Sequence, residues 1–331
     1  MVKLFVAIAL SMLSARPMNR TMPRLALCAL ALMAAVPAAA QNTAPYSVAE
    51  SGRGYGSLQA AVDAIGNGTG TILVSPGVHR DCAVQEGGAV TYRAAVPGKA
   101  IFDGGICEDK AALILRGRAA TVNGIIFQNM AVADGNGAGI RLEQGNLNVS
   151  NSYFRNSEQG ILTADDPSSA IRIDRSTFSG LGRCDRGLSC AHSIYIGDYG
   201  SLSVTRSRFQ QGNGGHYVKS RARRTTVTDS SFDDTRGRAT NYMIDLPNGS
   251  TGVIEGNVFV QGRDKENYSA FIAVAAEGKE HSSNGLIVRN NDARVGPGID
   301  RTTTFLADWS GDRVQLGANR LGPKLKPFER R

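Results

Sequence analysis

A short phrase of alternating apolar and polar residues recurs along the chain from residue 122 onward. Each copy has an aliphatic residue five places before its last position, and in six copies that last position is Phe. Ser or Asn stands two places before most of these Phe residues, and successive copies lie 23 to 31 residues apart. The copies are VNGIIF, VSNSYF, IDRSTF, VTRSRF, VTDSSF and IEGNVF, ending at Phe127, Phe154, Phe178, Phe209, Phe232 and Phe259. This regularity indicates a structural repeat.

Further short segments of strand-like character lie between these copies, separated by Gly, Asn and Asp; examples are AGIRLE, QGILTA, HSIYIG, YMIDLP and AFIAVA. A repeat of this length with two or three strands per unit predicts a coil of β-structure. The pattern of leucine-rich repeats is absent, and the tryptophan signature of propellers is missing because the chain has a single Trp, Trp309. We therefore expect an all-β fold, a right-handed parallel β-helix (solenoid), with Val, Ile and Phe inside each rung and ladders of stacked Ser and Asn.

The segment before the repeats predicts a cap for the open end of the coil. In SLQAAVDAI, four apolar positions recur at helical spacing behind a candidate N-cap, Ser57. These positions are Leu58, Ala61, Val62 and Ile65. A short amphipathic helix here would cover the apolar end of the solenoid.

This segment resembles the N-terminal region of the pectate-lyase-like β-helix superfamily, in which an S-x-Q-A-A-x-D-A helix precedes a V-x-x-P-G-x-Y strand. Here TILVSPGVH follows the helix, and His79 stands where an aromatic residue is usual. The resemblance extends over nearly the whole chain after residue 40 and implies an exported bacterial protein of the polysaccharide lyase type. A fold by itself says little about chemistry, so the site has to be argued from side chains.

Residues 1–40 predict a secretory signal peptide. They hold four basic and no acidic residues, two apolar stretches and a small-residue cleavage pattern ending at Ala40. Translation from Met18 or Met22 would also give a compact signal, and both stretches are shorter than the roughly 20 residues of a membrane span. We expect an exported protein, periplasmic or extracellular, without membrane insertion. It would have one β-helix domain over residues 41–325 and a basic tail over residues 326–331.

Four cysteines follow the predicted signal peptide, an even number that suits disulfides in an exported protein. Three pairings are formally open. We favour Cys82 with Cys107, which are about one rung apart, and Cys184 with Cys190, which would close the small loop CDRGLSC.

The segment GHYVKSRARR, residues 215–224, concentrates four cations and a histidine on one predicted rung. In YMIDLP the aliphatic residues Ile244 and Leu246 should point inward and Asp245 outward. With a one-residue slip that keeps an unpaired ammonium out of the core, Val218 points inward and Tyr217 and Lys219 point outward. Tyr195, Lys219 and Asp245 would then stack on successive rungs, about 4.8 Å apart.

Such a patch suits an anionic ligand. Removing residues 1–40 lowers the formal net charge from +8 to +4, so the mature chain is mildly basic. A basic groove on an exported β-helix fits an acidic polysaccharide, and we expect a monomer with no nucleic acid partner. β-Elimination of a uronic acid needs neutralisation of the carboxylate, removal of a proton and protonation of the leaving oxygen.

Arg221 or Arg223 suits the first task, since arginine binds a carboxylate bidentately. Lys219 is the candidate base, and Tyr195 or His216 would handle the second proton. The residues expected to contact substrate are Asp245, Arg223, Arg224, Tyr217 and Asn248. The residues do not settle which group is base and which is acid.

The segment YVKSR is also similar to a strand of β-helix alginate and chondroitin lyases, in which a lysine in a V-K-S context is the base. That resemblance spans three residues and would give the role to Lys219. The R-H-G triplet of the pattern is missing, and there is no clear cluster of Asn and Glu for its calcium ion. No metal ligands are therefore assigned, Ca²⁺ stays open as a cofactor, and Arg221 is an alternative to the ion.

Other interpretations remain open. The four cations would also fit a solvated turn, Asp245 a salt bridge with Lys219, and DLPNG a plain turn. A glycoside hydrolase of the polygalacturonase type would need paired carboxylates, which Asp165 and Asp166 could supply, but the N-T-D and R-I-K elements are missing. A noncatalytic carbohydrate-binding solenoid is the third alternative.

Overall fold

The computed structural model describes residues 44–331, so the predicted signal peptide lies outside the described residues. This part of the chain forms one short helix and 32 strands. The elements are β1 (Tyr46–Val48), β2 (Arg53–Tyr55), α1 (Leu58–Ile65), β3 (Thr69–Val74), β4 (Gly77–His79), β5 (Ala83–Gln85), β6 (Ala89–Ala94), β7 (Ala100–Asp103), β8 (Ala111–Leu115), β9 (Ala119–Asn123), β10 (Ile125–Gln128), β11 (Ala138–Leu142), β12 (Asn146–Ser150), β13 (Tyr153–Arg155), β14 (Gln159–Thr163), β15 (Asp166–Asp174), β16 (Thr177–Ser179), β17 (Ile194–Ile196), β18 (Tyr199–Thr205), β19 (Arg208–Gln210), β20 (Val218–Ser220), β21 (Arg224–Thr228), β22 (Ser231–Asp233), β23 (Ile244–Leu246), β24 (Thr251–Glu255), β25 (Val258–Gln261), β26 (Ala270–Val274), β27 (Ile287–Arg289), β28 (Asp292–Val295), β29 (Thr303–Asp308), β30 (Gln315–Leu316), β31 (Arg320–Leu321) and β32 (Leu325–Arg330).

The strands build three sheets, because each turn of the coil adds one strand to every sheet. The first sheet runs β2-β1-β3-β6-β9-β12-β15-β18-β21-β24-β27-β30, the second β31-β28-β25-β22-β19-β16-β13-β10-β7-β4, and the third β32-β29-β26-β23-β20-β17-β14-β11-β8-β5. Pairing is parallel except for β1, which pairs antiparallel with β2 and β3. The predicted parallel β-helix is confirmed, with about nine turns.

Aromatic rings stack through the core along the second sheet. Seven phenylalanines share one register position, and neighbouring ring centroids are 4.8–5.6 Å apart. They are Phe102, Phe127, Phe154, Phe178, Phe209, Phe232 and Phe259. His79 continues the stack at the N-terminal end, 5.7 Å from Phe102 and 5.4 Å from Tyr46. The histidine therefore occupies the aromatic position of the repeat.

From Phe154 to Phe259, the residue two places before each phenylalanine forms the expected polar ladder. The hydroxyl of Ser176 accepts a hydrogen bond from the backbone N–H of Ser152 at 3.3 Å, and Ser207 accepts from Ser176 at 3.2 Å. Asn257 continues the ladder by accepting from Ser230 at 3.0 Å. Because these side chains are buried, each bond satisfies a backbone donor at a turn between sheets.

Helix α1 forms the expected N-terminal cap. The Ser57 hydroxyl accepts a hydrogen bond from the Ala60 N–H at 3.2 Å, and Leu58, Ala61 and Val62 are buried. On the outer side of the helix, the Gln59 amide bonds both backbone groups of Val84, accepting at 2.7 Å and donating at 3.0 Å. Since β5 is the terminal strand of the third sheet, the helix covers that sheet edge as well as the core.

Both favoured disulfides are present, Cys82–Cys107 and Cys184–Cys190. Among the described residues, no helix is long and apolar enough to cross a membrane. Residues 326–331 were expected to form a basic tail. Instead, Leu325–Arg330 form β32, which pairs in parallel with β29. The coil thus extends to residue 330, because Leu325, Lys326 and Phe328 pair in register with Thr303, Thr304 and Leu306 of β29.

Truncating Phe178 should test how much the aromatic stack stabilises the coil. Its ring is fully buried and lies 4.9 Å from both Phe154 and Phe209. We expect Phe178→Ala to lower the free energy of unfolding by about 3–5 kcal/mol, through lost burial and the cavity left behind. Chemical denaturation measures the loss. Val258→Ala, at a partly exposed position of the same sheet, is the control, and equal losses for the two variants would contradict the assigned role of the stack.

Candidate functional site

The third sheet carries a row of outward-facing residues at the middle of the coil. Tyr195 pairs with Lys219, and Lys219 pairs with Asp245, on successive strands β17, β20 and β23. Val218 and Ile244, one residue earlier, pair with each other and lie in the core. The expected one-residue slip is therefore confirmed, and Lys219 faces away from the hydrophobic interior.

A second row lies three residues before the first one. It consists of His192, His216 and Tyr242, whose rings follow one another at centroid distances of 4.9 and 5.6 Å. The sequence analysis singled out His216 alone. The repeated spacing H-x-x-Y, H-x-x-K and Y-x-x-D, read across the three rungs, was the signal that could have found His192 and Tyr242.

Tyr217 does not belong to either row, and its expected outward orientation is wrong. The side chain is 1% exposed and packs edge-on against Phe209 and Phe232 inside the coil. Its hydroxyl donates to Asp234 at 2.7 Å. The chain bends just before β20, so Tyr217 and Val218 both point inward, and a strict in-and-out alternation fails at this corner.

Arg221 follows β20 and gathers polar groups around its guanidinium. Nε donates to the hydroxyl oxygen of Tyr195 at 2.9 Å, Nη1 donates to Oδ1 of Asn248, and Nη2 donates to Oε2 of Glu277 at 2.5 Å. Burial lowers the pKa of Arg221, but the bonds to Tyr195 and Glu277 outweigh it and the net shift is upward. Arg221 therefore stays a cation with a fixed orientation.

Glu277 links the two central cations and was missed from the sequence. Its Oε1 accepts a hydrogen bond from Lys219 Nζ while Oε2 accepts from Arg221. Although partial burial opposes ionisation, these two bonds lower the pKa of Glu277. It lies in a loop after β26 that has no repeat pattern, so nothing in the local sequence points to it. We call the residues of this site the Lys219 cluster: His192, Tyr195, His216, Lys219, Arg221, Asp245, Asn248 and Glu277.

The two histidines of the cluster are neutral. Burial and the cations Lys219 and Arg221 lower the pKa of His192 to about 3, against a smaller opposing effect of Glu277. Burial, His192 and Lys219 hold the pKa of His216 well below its ordinary value. Nδ1 of His192 accepts from the backbone N–H of His216 at 3.0 Å and lies 3.2 Å from Nδ1 of His216. A hydrogen bond between the two rings requires Nδ1 of His216 to carry the proton, and in that tautomer Nε2 of His216 is an acceptor.

Asp245 faces that acceptor. Its Oδ2 lies 3.5 Å from Nε2 of His216 and 3.5 Å from Nζ of Lys219, and Oδ1 is buried without a hydrogen-bond partner among the described residues. Burial raises the pKa of Asp245 to about 7; Lys219 opposes the rise and Glu277 adds to it. Asp245 is outside the core as expected, yet only 2% exposed. A protonated carboxyl here can donate to His216.

The remaining predicted residues are distributed around this centre. Asn248 is 4% exposed and orients Arg221. Arg223 lies on the exposed turn beyond, with Nε 3.7 Å from Asp198 Oδ1. Arg224 begins β21 in the first sheet, so it is separated from the Lys219 cluster by a corner of the coil. The four cations of the segment therefore do not form one patch: Lys219 and Arg221 share Glu277, Arg223 lies beside Asp198, and Arg224 belongs to the first sheet.

The carboxylate pair considered for a hydrolase is engaged with the backbone. Asp165 Oδ1 accepts from the Asp198 N–H at 2.8 Å, and Asp166 Oδ2 accepts from the Gly145 N–H at 2.8 Å. Burial opposes ionisation of Asp166, but hydrogen bonds from Ser168, Ser169 and Gly145 lower its pKa to about 2. A general acid needs the opposite shift. These aspartates stabilise turns.

Calcium does not fit the Lys219 cluster. Ca²⁺ takes six to eight oxygen ligands, mostly from carboxylates and carbonyls. The carboxylate of Glu277 is bound by Lys219 and Arg221, and Asp245 lies beside Lys219. Within residues 44–331, no group of three or more His, Cys, Asp or Glu side chains could hold a metal ion. Arg221 binds the carboxylate of Glu277 at this place.

Replacing Asp245 should change how stability depends on pH. A carboxyl whose pKa is higher in the folded state stabilises the fold at low pH, and this contribution is lost as pH rises from about 4 to about 7. We expect Asp245→Asn, which cannot ionise, to gain stability relative to the natural protein between pH 5 and pH 8. Thermal denaturation at both pH values measures the change. Asp109→Asn, at an exposed position, is the control, and a gain independent of pH would refute the raised pKa.

Comparison with known proteins agrees with the fold. The family model described as the right-handed β-helix region matches residues 138–305, about half of the chain. No curated protein and no solved structure matched the chain. The matched range contains β11 to β28, the first half of β29 and every residue of the Lys219 cluster. By this match and by its three parallel sheets, the chain belongs to the right-handed β-helix family.

Proposed function

We propose that this protein is an exported polysaccharide lyase that cleaves a uronic-acid-containing polymer by β-elimination. The observation that carries the proposal is the pair Lys219 and Arg221, which hold one carboxylate, that of Glu277, beside the hydroxyl of Tyr195. A sugar carboxylate has the same planar geometry and charge. The right-handed β-helix fold is common to polysaccharide lyases, hydrolases and binding proteins, so the site has to decide between them.

Arg221 suits neutralisation of the substrate carboxylate. Its Nη2 already binds one carboxylate oxygen, and its Nε and Nη1 bonds to Tyr195 and Asn248 fix the plane of the guanidinium. Neutralising the carboxylate stabilises the negative charge that develops when the neighbouring carbon loses its proton. A cation already in position costs no reorganisation during the reaction.

We assign the two proton transfers to Lys219 and Tyr195. For this step Lys219 first releases its ammonium proton to solvent, and Arg221 alone holds the sugar carboxylate. Lys219 then accepts the proton from C5; the electrons of that bond form the C4–C5 double bond while the C4–O bond breaks. The Tyr195 oxygen accepts its hydrogen bond from Arg221, so its own O–H is free to donate to the departing oxygen. The phenolate that results lies beside the Arg221 cation.

The neutral histidines and Asp245 pack against Lys219 and Tyr195. His192 lies edge-on to Tyr195, with ring centroids 5.4 Å apart, and His216 and Asp245 lie under Lys219. Because both histidines are neutral, the only cations beside the substrate position in the described cluster are Lys219 and Arg221. The positive charge is therefore concentrated where a single carboxylate binds. The two disulfides fit the oxidising compartment of an exported protein.

Absorbance near 235 nm tests the proposal, because the unsaturated uronate product absorbs there. Purified protein mixed with alginate, pectate, glucuronan and other acidic polysaccharides should give a rise on at least one polymer, and chelator should not remove it. Lys219→Ala and Tyr195→Phe should each lower the rate by about 10²–10⁴-fold, the usual contribution of one acid or base.

Lys99→Ala, a change of an exposed lysine far along the coil, is the matched control and should keep full activity. All variants should keep the circular dichroism spectrum of the natural protein. Full activity in Lys219→Ala would remove Lys219 from the chemistry, and no rise on any polymer would overturn the lyase.

A hydrolase is the second candidate because two carboxyls of the cluster have opposite pKa shifts. Burial raises the pKa of Asp245 to about 7, while the bonds from Lys219 and Arg221 outweigh burial and lower that of Glu277. An acid and a base with separated pKa values are what glycoside hydrolysis needs. New reducing ends without absorbance at 235 nm, lost in Asp245→Asn, would favour this reaction over elimination.

A further inference from the structure

We propose that Lys219 and Arg221 form a subsite for a single sugar carboxylate, and that Glu277 fills this subsite when no substrate is bound. The ligand class rests on the proposed function, whereas the competition between Glu277 and an anion does not depend on catalysis. Glu277 is then a built-in competitor that sets the affinity and the selectivity of the site for uronic acids.

Glu277 reaches its partners from a distant part of the coil. It follows β26, while Lys219 lies in β20, two rungs earlier, so the side chain lies back along the outer face of the third sheet. One carboxylate oxygen goes to each cation. A sugar carboxylate bound between the same two nitrogens would make the same two charge-assisted hydrogen bonds.

The carboxylate of Glu277 can leave without unfolding the loop. Its backbone N–H donates to the Pro247 carbonyl at 3.0 Å, and the N–H groups of Glu280 and His281 both donate to the Asn248 carbonyl at 2.9 Å. His281 also lies 3.1 Å from Asp198, which anchors the loop on the far side. The Glu277 side chain is 44% exposed, so rotation about its own bonds takes it into solvent.

The neighbours of Lys219 explain why an anion must replace Glu277. Lys219 is 7% exposed, and Asp245, the other nearby carboxyl, lies 3.5 Å away and has its pKa raised by burial. A nearly buried ammonium without a close anion is costly. A neutral sugar would displace Glu277 and leave that cost uncompensated, whereas a uronate compensates it. The subsite therefore selects for charge.

Because Glu277 competes for the subsite, the apparent affinity for a uronate equals its intrinsic affinity multiplied by the fraction of molecules in which the subsite is free. Removing the Glu277 carboxylate should raise that fraction to one. The monosaccharides galacturonate, glucuronate and mannuronate are suitable probes because they carry one carboxylate and have no glycosidic bond to cleave. Galactose, glucose and mannose are their neutral counterparts.

Titration calorimetry or NMR with the full-length mature protein would measure binding of these six sugars. We expect Glu277→Gln to bind at least one uronate about tenfold more tightly than the natural protein, with no change for the neutral sugars. Glu277→Ala, which removes the whole carboxylate group instead of replacing it with an amide, should bind the uronate more tightly by the same factor. Glu280→Gln removes the same charge from the same exposed loop and is the matched control; it should behave like the natural protein.

Equal affinity in Glu277→Gln and the natural protein would overturn the subsite, and so would an equal gain in Glu280→Gln, since that gain would come from net charge alone. Tighter uronate binding in Glu277→Gln without product from any polymer would overturn the lyase and leave the subsite standing. Elimination activity together with unchanged uronate affinity in Glu277→Gln would overturn the subsite and leave the lyase standing.

Discussion

Parallel pairing between successive rungs is the constraint on which the rest of this structure depends. Each strand bonds the strand one turn earlier and one turn later, so equivalent residues are placed about 4.8 Å apart in straight rows. Inside the coil these rows are the phenylalanine stack and the Ser and Asn ladder. Outside the coil the same rule places Tyr195, Lys219 and Asp245 in one line. Core and site thus arise from a single repeat geometry.

Burial of charge distinguishes the Lys219 cluster from the rest of the outer surface. On the N-terminal rungs of the same sheet, Arg116 pairs with Glu86, Glu108 and Glu143 in a network whose side chains are 22% to 70% exposed. In the Lys219 cluster the histidines, Asp245 and Lys219 are nearly inaccessible, and desolvation makes both histidines neutral. Perturbed titration in a compact group is typical of functional sites.

The repeat made most of the fold predictable. The spacing of Phe178 and its counterparts identified the coil, the Leu58 helix and the disulfides followed from local patterns, and the Lys219 register followed from the cost of burying an ammonium. The corners and the end of the coil were less predictable: alternation fails at Tyr217, and residues 326–331 were expected to be a basic tail although Leu325–Arg330 form a strand. Glu277 could not be found because loops between rungs carry no period, and its contact depends on where a long excursion folds back.

The hydrogen bonds from Gln59 to Val84 have a consequence for assembly. A parallel coil ends in strands whose backbone groups offer a template for another chain, and a regular solenoid could in principle continue from molecule to molecule. At the N-terminal edge of the third sheet, one amide side chain already satisfies the N–H and C=O of Val84. An incoming strand would have to break both bonds and displace α1 from Leu58 onward. A single glutamine therefore makes this end of the coil a poor starting point for fibre growth.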